Sequence, residues 1–355
     1  MLPVGVGLSA AAETVLGAGA AHATSASGAP TPGVTLTSIE GLLVGHHTRS
    51  DRPTGCTVIL TPDGASAGVA VRGAAPGTRE LALLDPGNTV QTIHGITLSG
   101  GSAFGLAAAD GVMRQLREAG IGFEIPGGPV PIVPAAILFD LNIGEGATSP
   151  TAADGYAAAA QASAEPVLEG CVGAGAGATI GKLGFGSPMK GAIGSAGYRF
   201  DDGTVVAALV ATNGLGDIRD PHTGQLVAGA IDNDHRFVDA EARFLAGELP
   251  QDSSTGGPGQ NTTIGVVATN RTLDKSQCHR LASVAHDGIA RAVVPAHTRL
   301  DGDTLFMLAT NKATAIGDAE ITRIETAVAA ATSAAILSAA RAATSLAGYL
   351  AVRDL

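Results

Sequence analysis

A chain with no tryptophan, only 3% aromatic residues and 50 glycines has little bulk with which to fill an interior. Its core must be assembled from Ala, Val, Ile and Leu in close contact, with many tight turns between elements. Hydrophobic residues make up 45% of the 355 positions and charged ones 15%, the balance of a compact soluble protein and not of a disordered one. That length allows one or two domains. The formal net charge is −11, and no cluster of Lys and Arg reverses it locally. This argues against a nucleic-acid backbone or an anionic membrane as partner.

The three cysteines, Cys56, Cys171 and Cys278, are odd in number and widely spaced. They offer neither a disulfide framework nor a paired zinc spacing and read as buried, reduced thiols, which fits a cytoplasmic location. Residues 1–23 are apolar and end in Ala21-His22-Ala23, like a signal-peptidase site, but no Lys or Arg precedes them and Glu13 interrupts them. Residues 1–33 are therefore expected to be a flexible N-terminal extension, and 34–355 a single domain. The Ala-rich stretch 327–350 carries Thr, Ser and Arg341, so it is not a membrane span.

Residues 34–44, 56–60 and 67–71 read as strands, the first two flanking the polar turn "GHHTRSDRPTG". Residues 102–120 read as a helix that Ser102 caps after the tight turn Gly100-Gly101, ending at Gly120. Helical patterns follow at 150–164, 237–246 and 273–293, and a long one from Ile321 onward. "TVVAALVATN" (204–213) and 305–309 are strands, and "ELPQDSSTGGPGQ" (248–260) is an exposed loop. Grouped strands separated by long helices predict layered α+β architecture and not a regular βαβ alternation.

Several motifs are false leads. "GAGAGA" (173–178) fits a dinucleotide fingerprint but lacks the strand–turn–helix setting. "GGSAFG" (100–105) misses the nucleophile elbow by one position. The nine histidines include no i,i+4 metal pair, and His297 with Asp301 and Asp303 lacks an evident third kind of ligand. Asp301 and Asp303 in "LDGDTLF" form either a turn or, if both face one site, a coupled carboxylate pair that can hold a proton. Lys182, a lone cation in the glycine-rich 171–188 segment, is either a surface lysine or a site residue. Asn213 is either a turn residue or an amide donor for an oxyanion.

The stretch "GGPGQNTTIGVVATN" (256–270) changes from loop to apolar strand through Asn261-Thr262-Thr263. A backbone break between Asn261 and Thr262 would give Thr262 a free α-amine, with an unperturbed pKa near ~8, to act as base for its own hydroxyl.

Together with "RGAAPGTRE" (72–80), "LLDPGNTVQTIHGITLSGGSAFGLAAADGV" (83–112), "PIVPAAILFDL" (131–141) and "PAHTRLDGDTLF" (295–306), this segment resembles the L-aminopeptidase/D-esterase family, which includes β-aminopeptidases and endo-type nylon-oligomer hydrolases. The resemblance covers roughly residues 34–350. It implies a four-layer αββα-like sandwich of N-terminal-nucleophile type, made as one chain and self-cut into 1–261 and 262–355. Thr262 matches the nucleophile, Asp301 and Asp303 the pair that positions its amine and hydroxyl, and Lys182 and Asn213 the residues near nucleophile and oxyanion. Two Asp at that pair lean toward the nylon-hydrolase pattern, since the aminopeptidases have Ser and Glu there. The family often has Tyr where this chain has Phe139. Phe139, Gly101 and Ser102 are the substrate-pocket candidates.

The implied activity is release of N-terminal residues from small peptides, amides or esters, extending to amide oligomers, with no metal or organic cofactor. The implied assembly is a tetramer of cut heterodimers. The alternatives are acyl transfer as in ornithine acetyltransferases, which use the same self-cleaving Thr logic, and an uncut, non-catalytic binding relative.

Overall fold

The strand Gly55–Val71 runs 17 residues and belongs to two layers at once. The computed structural model describes residues 28–144, 148–250 and 260–355. Numbering the strands of its nine-stranded sheet along the chain gives β1 Leu43–Thr48, β2 Gly55–Val71, β3 Thr78–Arg79, β4 Ile93–Ser99, β5 Ala135–Ile137, β6 Ala192–Arg199, β7 Val205–Asn213, β8 Thr262–Thr272 and β9 Thr304–Ala315. The spatial order is β3-β5-β4-β2-β9-β8-β7-β6, with β1 added on β2. The first half of β2 pairs with β1 and β4, and Ser66 to Val71 pair with β9. Between the halves the chain bends at Gly64, whose φ of +80° suits glycine. The two predicted strands at 56–60 and 67–71 are thus one strand, since a bend does not end hydrogen bonding on both sides.

The bend folds the sheet into two facing limbs. Ile264, Val266, Ala268, Phe306, Leu308, Leu209 and Ala211 from β7–β9 pack against Ile59, Ile96, Leu98 and Leu138 of the other limb. The alternate residues Val267, Leu305, Met307, Val206 and Val210 face two helices, Lys275–Ala292 and Asp318–Ala342. Burial on both faces explains why these strands read as unbroken apolar runs. On the outer side of the first limb, Cys56, Val58 and Leu60 pack against helices Ala108–Glu118 and Ala152–Ala160. The result is the expected four layers, αββα.

Close approach accounts for the small residues. A Cβ on Gly111 would lie 1.7 Å from Ala152 O, and one on Gly155 1.9 Å from Ala108 O, so these two helices touch backbone to backbone. Asp274 caps the Lys275–Ala292 helix by accepting from Gln277 N–H at 2.8 Å.

Three further expectations change. Residues 34–44 are not one strand: a 3-10 turn, Leu36–Ser38, comes first, and Thr35 N–H donates to Ser38 Oγ at 3.1 Å. The helix predicted from 102 opens as a 3-10 turn, Ser102–Ala107, before the α-helix at Ala108. Ser102 is inside that turn with φ +54° and makes no capping bond; its backbone N–H donates to Leu138 O at 3.0 Å instead. Cys171 is only partly buried, unlike Cys56 and Cys278.

Of the N-terminal extension, residues 28–33 run beside β6, where Thr31 N–H donates to Gly197 O at 2.8 Å; residues 1–27 lie outside the described residues. So does most of the predicted 248–260 loop. No described helix is long and apolar enough to cross a membrane.

Candidate active site

Strand pairing alone assembles the site. Antiparallel register between β7 and β8 sets Thr262 opposite Asn213. Parallel register between β8 and β9 sets Ile264 opposite Thr304, and Asn261, one residue before β8, bridges to Asp301, three residues before β9. The turn Asp301-Gly302-Asp303 therefore lies directly beside Asn261-Thr262-Thr263. Lys182 arrives from the other side, just after the short strand Thr179–Ile180.

All of these side chains are buried. Lys182 is 3% exposed, Thr262, Asp301 and Asp303 are 2%, and Asn213 and Asn261 are 0%. Lys182 is thus no surface lysine. Its Nζ donates to Asn213 O and Asn213 Oδ1, each at 2.9 Å, and to Gln260 O at 3.1 Å. Asn213 Oδ1 also accepts from Thr179 N–H at 2.9 Å, which fixes the amide so that Nδ2 donates to Phe139 O at 3.0 Å and Gln260 O at 3.2 Å.

Asp303 Oδ1 accepts from Thr263 N–H at 2.7 Å, and its Oδ2 lies 2.8 Å from His297 Nδ1. Asp301 Oδ2 accepts from the N–H and hydroxyl of Thr298 at 2.8 and 2.7 Å. The Thr262 hydroxyl donates to its neighbour's carbonyl oxygen, Asn261 O, at 2.5 Å. That oxygen also accepts from Gly302 N–H at 2.8 Å.

Burial shapes the charges. It brings the Lys182 ammonium down to about 7, against the opposing pull of Asp301. It raises the Asp301 carboxyl, and the nearby Asp303 charge raises it further. A buried lysine that titrates near neutrality, within electrostatic reach of a carboxyl raised by burial, can take up or give a proton at neutral pH.

Five of the residues singled out from sequence, Thr262, Asn213, Lys182, Asp301 and Asp303, thus surround the Asn261–Thr262 bond. The pocket candidates are less direct. Phe139 is half-buried, and the hydrogen bond that joins it to the site among the described residues runs through its backbone oxygen. Gly101 N–H donates to Asp140 Oδ1 at 2.9 Å, and no hydrogen bond among the described residues links Gly101 or Ser102 to Thr262. Asp140 is itself held by a fully buried ion pair with Arg52 at 2.6 Å. Sequence reading missed the Gly302 N–H, Thr179 and Thr298. The spacing Thr298-x-x-Asp301, a short-range side-chain turn pattern, signals the last of these. Among the described residues no group of three His, Cys, Asp or Glu could hold a metal ion.

The model of peptidase family S58 matches residues 35–352. The chain belongs to that family. It is 42% identical over 301 residues to an uncharacterized aminopeptidase of Mycobacterium leprae, covering 81% of each chain. It is 32% identical over 277 residues to a 6-aminohexanoate-oligomer endohydrolase of a Kocuria species, covering 77% of this chain and 74% of that one. Among solved structures it resembles a Burkholderia β-aminopeptidase, with TM-score 0.66 and 22% identity over 90% of each chain. It also resembles the L-aminopeptidase D-Ala-esterase/amidase of Ochrobactrum anthropi, described as a variant of the Ntn hydrolase fold, with TM-score 0.64 and 19% identity over 89% of this chain and 88% of that one. At those identities the two structures speak for the fold alone.

Proposed function

We propose that this member of peptidase family S58 is a self-cut hydrolase that uses Thr262 as an N-terminal nucleophile and releases N-terminal residues from small peptides, amides or esters. The observation that carries this reading is the convergence of Lys182, Asn213, Asp301 and Asp303 on the buried Asn261–Thr262 bond.

In the self-cut, Thr262 Oγ bonds to the Asn261 carbonyl carbon while the C–N bond to Thr262 breaks. The hydroxyl proton ends on the departing nitrogen, leaving an ester that water resolves into an Asn261 carboxylate and a free Thr262 amine and hydroxyl. Gly302 N–H already donates to the oxygen that becomes negative, so in the uncut chain it is the oxyanion donor. Asn213 Nδ2 is engaged one residue upstream, on Gln260 O, and its oxyanion role belongs to the cut enzyme once Gln260 has moved. There the Thr262 amine serves as base, Asp301 and Asp303 orient it, and Lys182 sets the local charge.

Amide oligomers are a second substrate class, favoured by the Asp301–Asp303 pair and by the name of the Kocuria relative. The cut enzyme is further read as a cytoplasmic homo-oligomer.

Denaturing gels with N-terminal sequencing test the reading. Wild type gives a fragment starting at Thr262, and Thr262→Ala stays whole. Release of p-nitroaniline from D-Ala and β-Ala anilides, without acetyl transfer to ornithine, separates a hydrolase from a transferase. A wild-type chain that stays at 34.9 kDa refutes the mechanism.

A further inference from the structure

Asp303 is gripped on its far side as firmly as on its near side. While Oδ1 accepts from Thr263 N–H, Oδ2 accepts from the backbone N–H of His297 at 3.2 Å and faces His297 Nδ1 at 2.8 Å. A carboxylate oxygen so placed accepts, so Nδ1 carries a hydrogen. The other ring nitrogen, Nε2, faces the backbone oxygen of His286 at 3.3 Å. A carbonyl has no hydrogen to give, so Nε2 donates as well. A ring with hydrogen on both nitrogens is an imidazolium.

The surroundings agree with that charge. Burial works against it, but the hydrogen bond and charge of Asp303, with help from His286 O and Asp301, outweigh burial and hold His297 above its ordinary value. The groups that face it are Asp303 and Asp301 from its own loop and His286 from the Lys275–Ala292 helix, with the Arg72 charge beyond His286. His286 is kept neutral, taken down to about 4 by burial, so it does not compete for the proton at neutral pH. The two rings meet edge to face at 4.9 Å. His297 also holds a left-handed backbone, φ +56°, which a non-glycine residue keeps only where its contacts demand it.

We infer that His297 is a positioning residue for the nucleophile: as an imidazolium it fixes the Asp303 carboxylate, which in turn holds the backbone at Thr262-Thr263. This role presupposes that Thr262 is the nucleophile. Its sign with pH follows from the raised value. The positioning is complete below the ordinary histidine pKa of about 6.5 and is lost as pH rises through the higher value of the folded protein.

The test uses the full chain. Nitrogen-15 NMR of labelled histidine reads the His297 ring directly and does not depend on whether any variant folds. Both ring nitrogens are expected to carry hydrogen at about pH 6.5, with titration above that value. The pH profile of kcat/KM on an aminoacyl p-nitroanilide is then expected to fall in the same range. His297→Asn keeps one donor near Asp303 Oδ2 but cannot be charged. It should keep roughly a tenth of the activity, with the loss in kcat and not KM, and lack that alkaline fall; His297→Ala should lose about a hundredfold. A cut, active chain whose His297 ring carries a single hydrogen at pH 6.5 overturns the inference alone. So does a His297→Asn variant with the wild-type alkaline fall. A wild-type chain that is never cut overturns the nucleophile assignment, and this role with it.

Discussion

Lys182 and Asn213 are locked together: one ammonium nitrogen donates to both the backbone and the side-chain oxygen of the same asparagine, at 2.9 Å each. The third Lys182 bond goes to Gln260 O, two residues from Thr262, so the pair ties the segment upstream of Thr262 to β7. Replacing Lys182 by Met leaves three acceptors, Asn213 O, Asn213 Oδ1 and Gln260 O, without this donor. Self-cutting is expected to slow about 10²-fold, the usual loss when a preorganised donor at a reacting group is removed. A time course of gel samples from freshly synthesised chain measures it; a cut at wild-type speed removes Lys182 from the mechanism.

The same lysine has a pH signature. Its value is depressed on folding, to about 7, so the folded state binds fewer protons than the unfolded state between about pH 7 and the ordinary lysine value near ~10.4. Lys182 therefore costs stability at low pH, and that cost fades as pH rises through this window. In the uncut Thr262→Ala background, the melting temperature of the parent relative to Lys182→Met should rise from pH 6 to pH 9. Calorimetry at matched ionic strength reads this, and a difference that is flat or falls with pH contradicts it.

How far this site could be read from the chain depends on how local each signal is. β8 was legible because every residue from Ile264 to Ala268 is buried, on two different faces, and a doubly covered strand has an unmistakable composition. Thr262 stood out because polar residues at the mouth of such a strand need a reason. Lys182 could not be placed by spacing, since its partners lie 31 and 78 residues away and meet it only through sheet register. The single β2 was read as two strands, 56–60 and 67–71, because only those runs are continuously apolar, while the hydrogen bonding runs on through the residues between them. Gly302 was passed over because its contribution is a backbone N–H, which any residue carries.

The Arg52–Asp140 pair is fully buried, with Asp140 also accepting from Thr54 Oγ1 at 2.7 Å and from Gly101 N–H. It braces the segment that presents Phe139 O to Asn213. Asp140→Asn leaves an unpaired buried guanidinium, and removal of one partner of such a pair costs about 3–5 kcal/mol. Urea unfolding of the variant in the Thr262→Ala background should show a loss of that order. A loss within about 0.5 kcal/mol, the range of ordinary surface changes, would falsify the bracing role.

Asn261 presents the opposite case. Its side chain is fully buried, yet among the described residues neither Oδ1 nor Nδ2 has a hydrogen-bond partner. A buried polar group left unsatisfied costs roughly 1–3 kcal/mol. Asn261→Leu is close in shape and carries no polar atoms, so in the Thr262→Ala background it should stabilise the uncut chain, by about 1 kcal/mol after some misfit of the branched end. Destabilisation by that amount instead would mean that the amide is satisfied by water.

Gly302 offers the sharpest separation of cutting from folding. Its N–H donates to Asn261 O, and a Cβ there would lie 2.5 Å from Ala75 O and 3.0 Å from Thr262 Oγ1. Gly302→Ala must therefore shift the turn and carry the N–H off the Asn261 carbonyl, the group attacked in the proposed self-cut. The layers of the sandwich are packed elsewhere, through Ile264, Val266, Phe306 and their partners, so the fold should persist. The expected result is a folded chain that is cut about 10²-fold more slowly, because one oxyanion donor is typically worth that much. Circular dichroism establishes the fold and the gel time course gives the rate. If Gly302→Ala is folded and cut as fast as wild type, this backbone N–H is not the donor on which the self-cut depends.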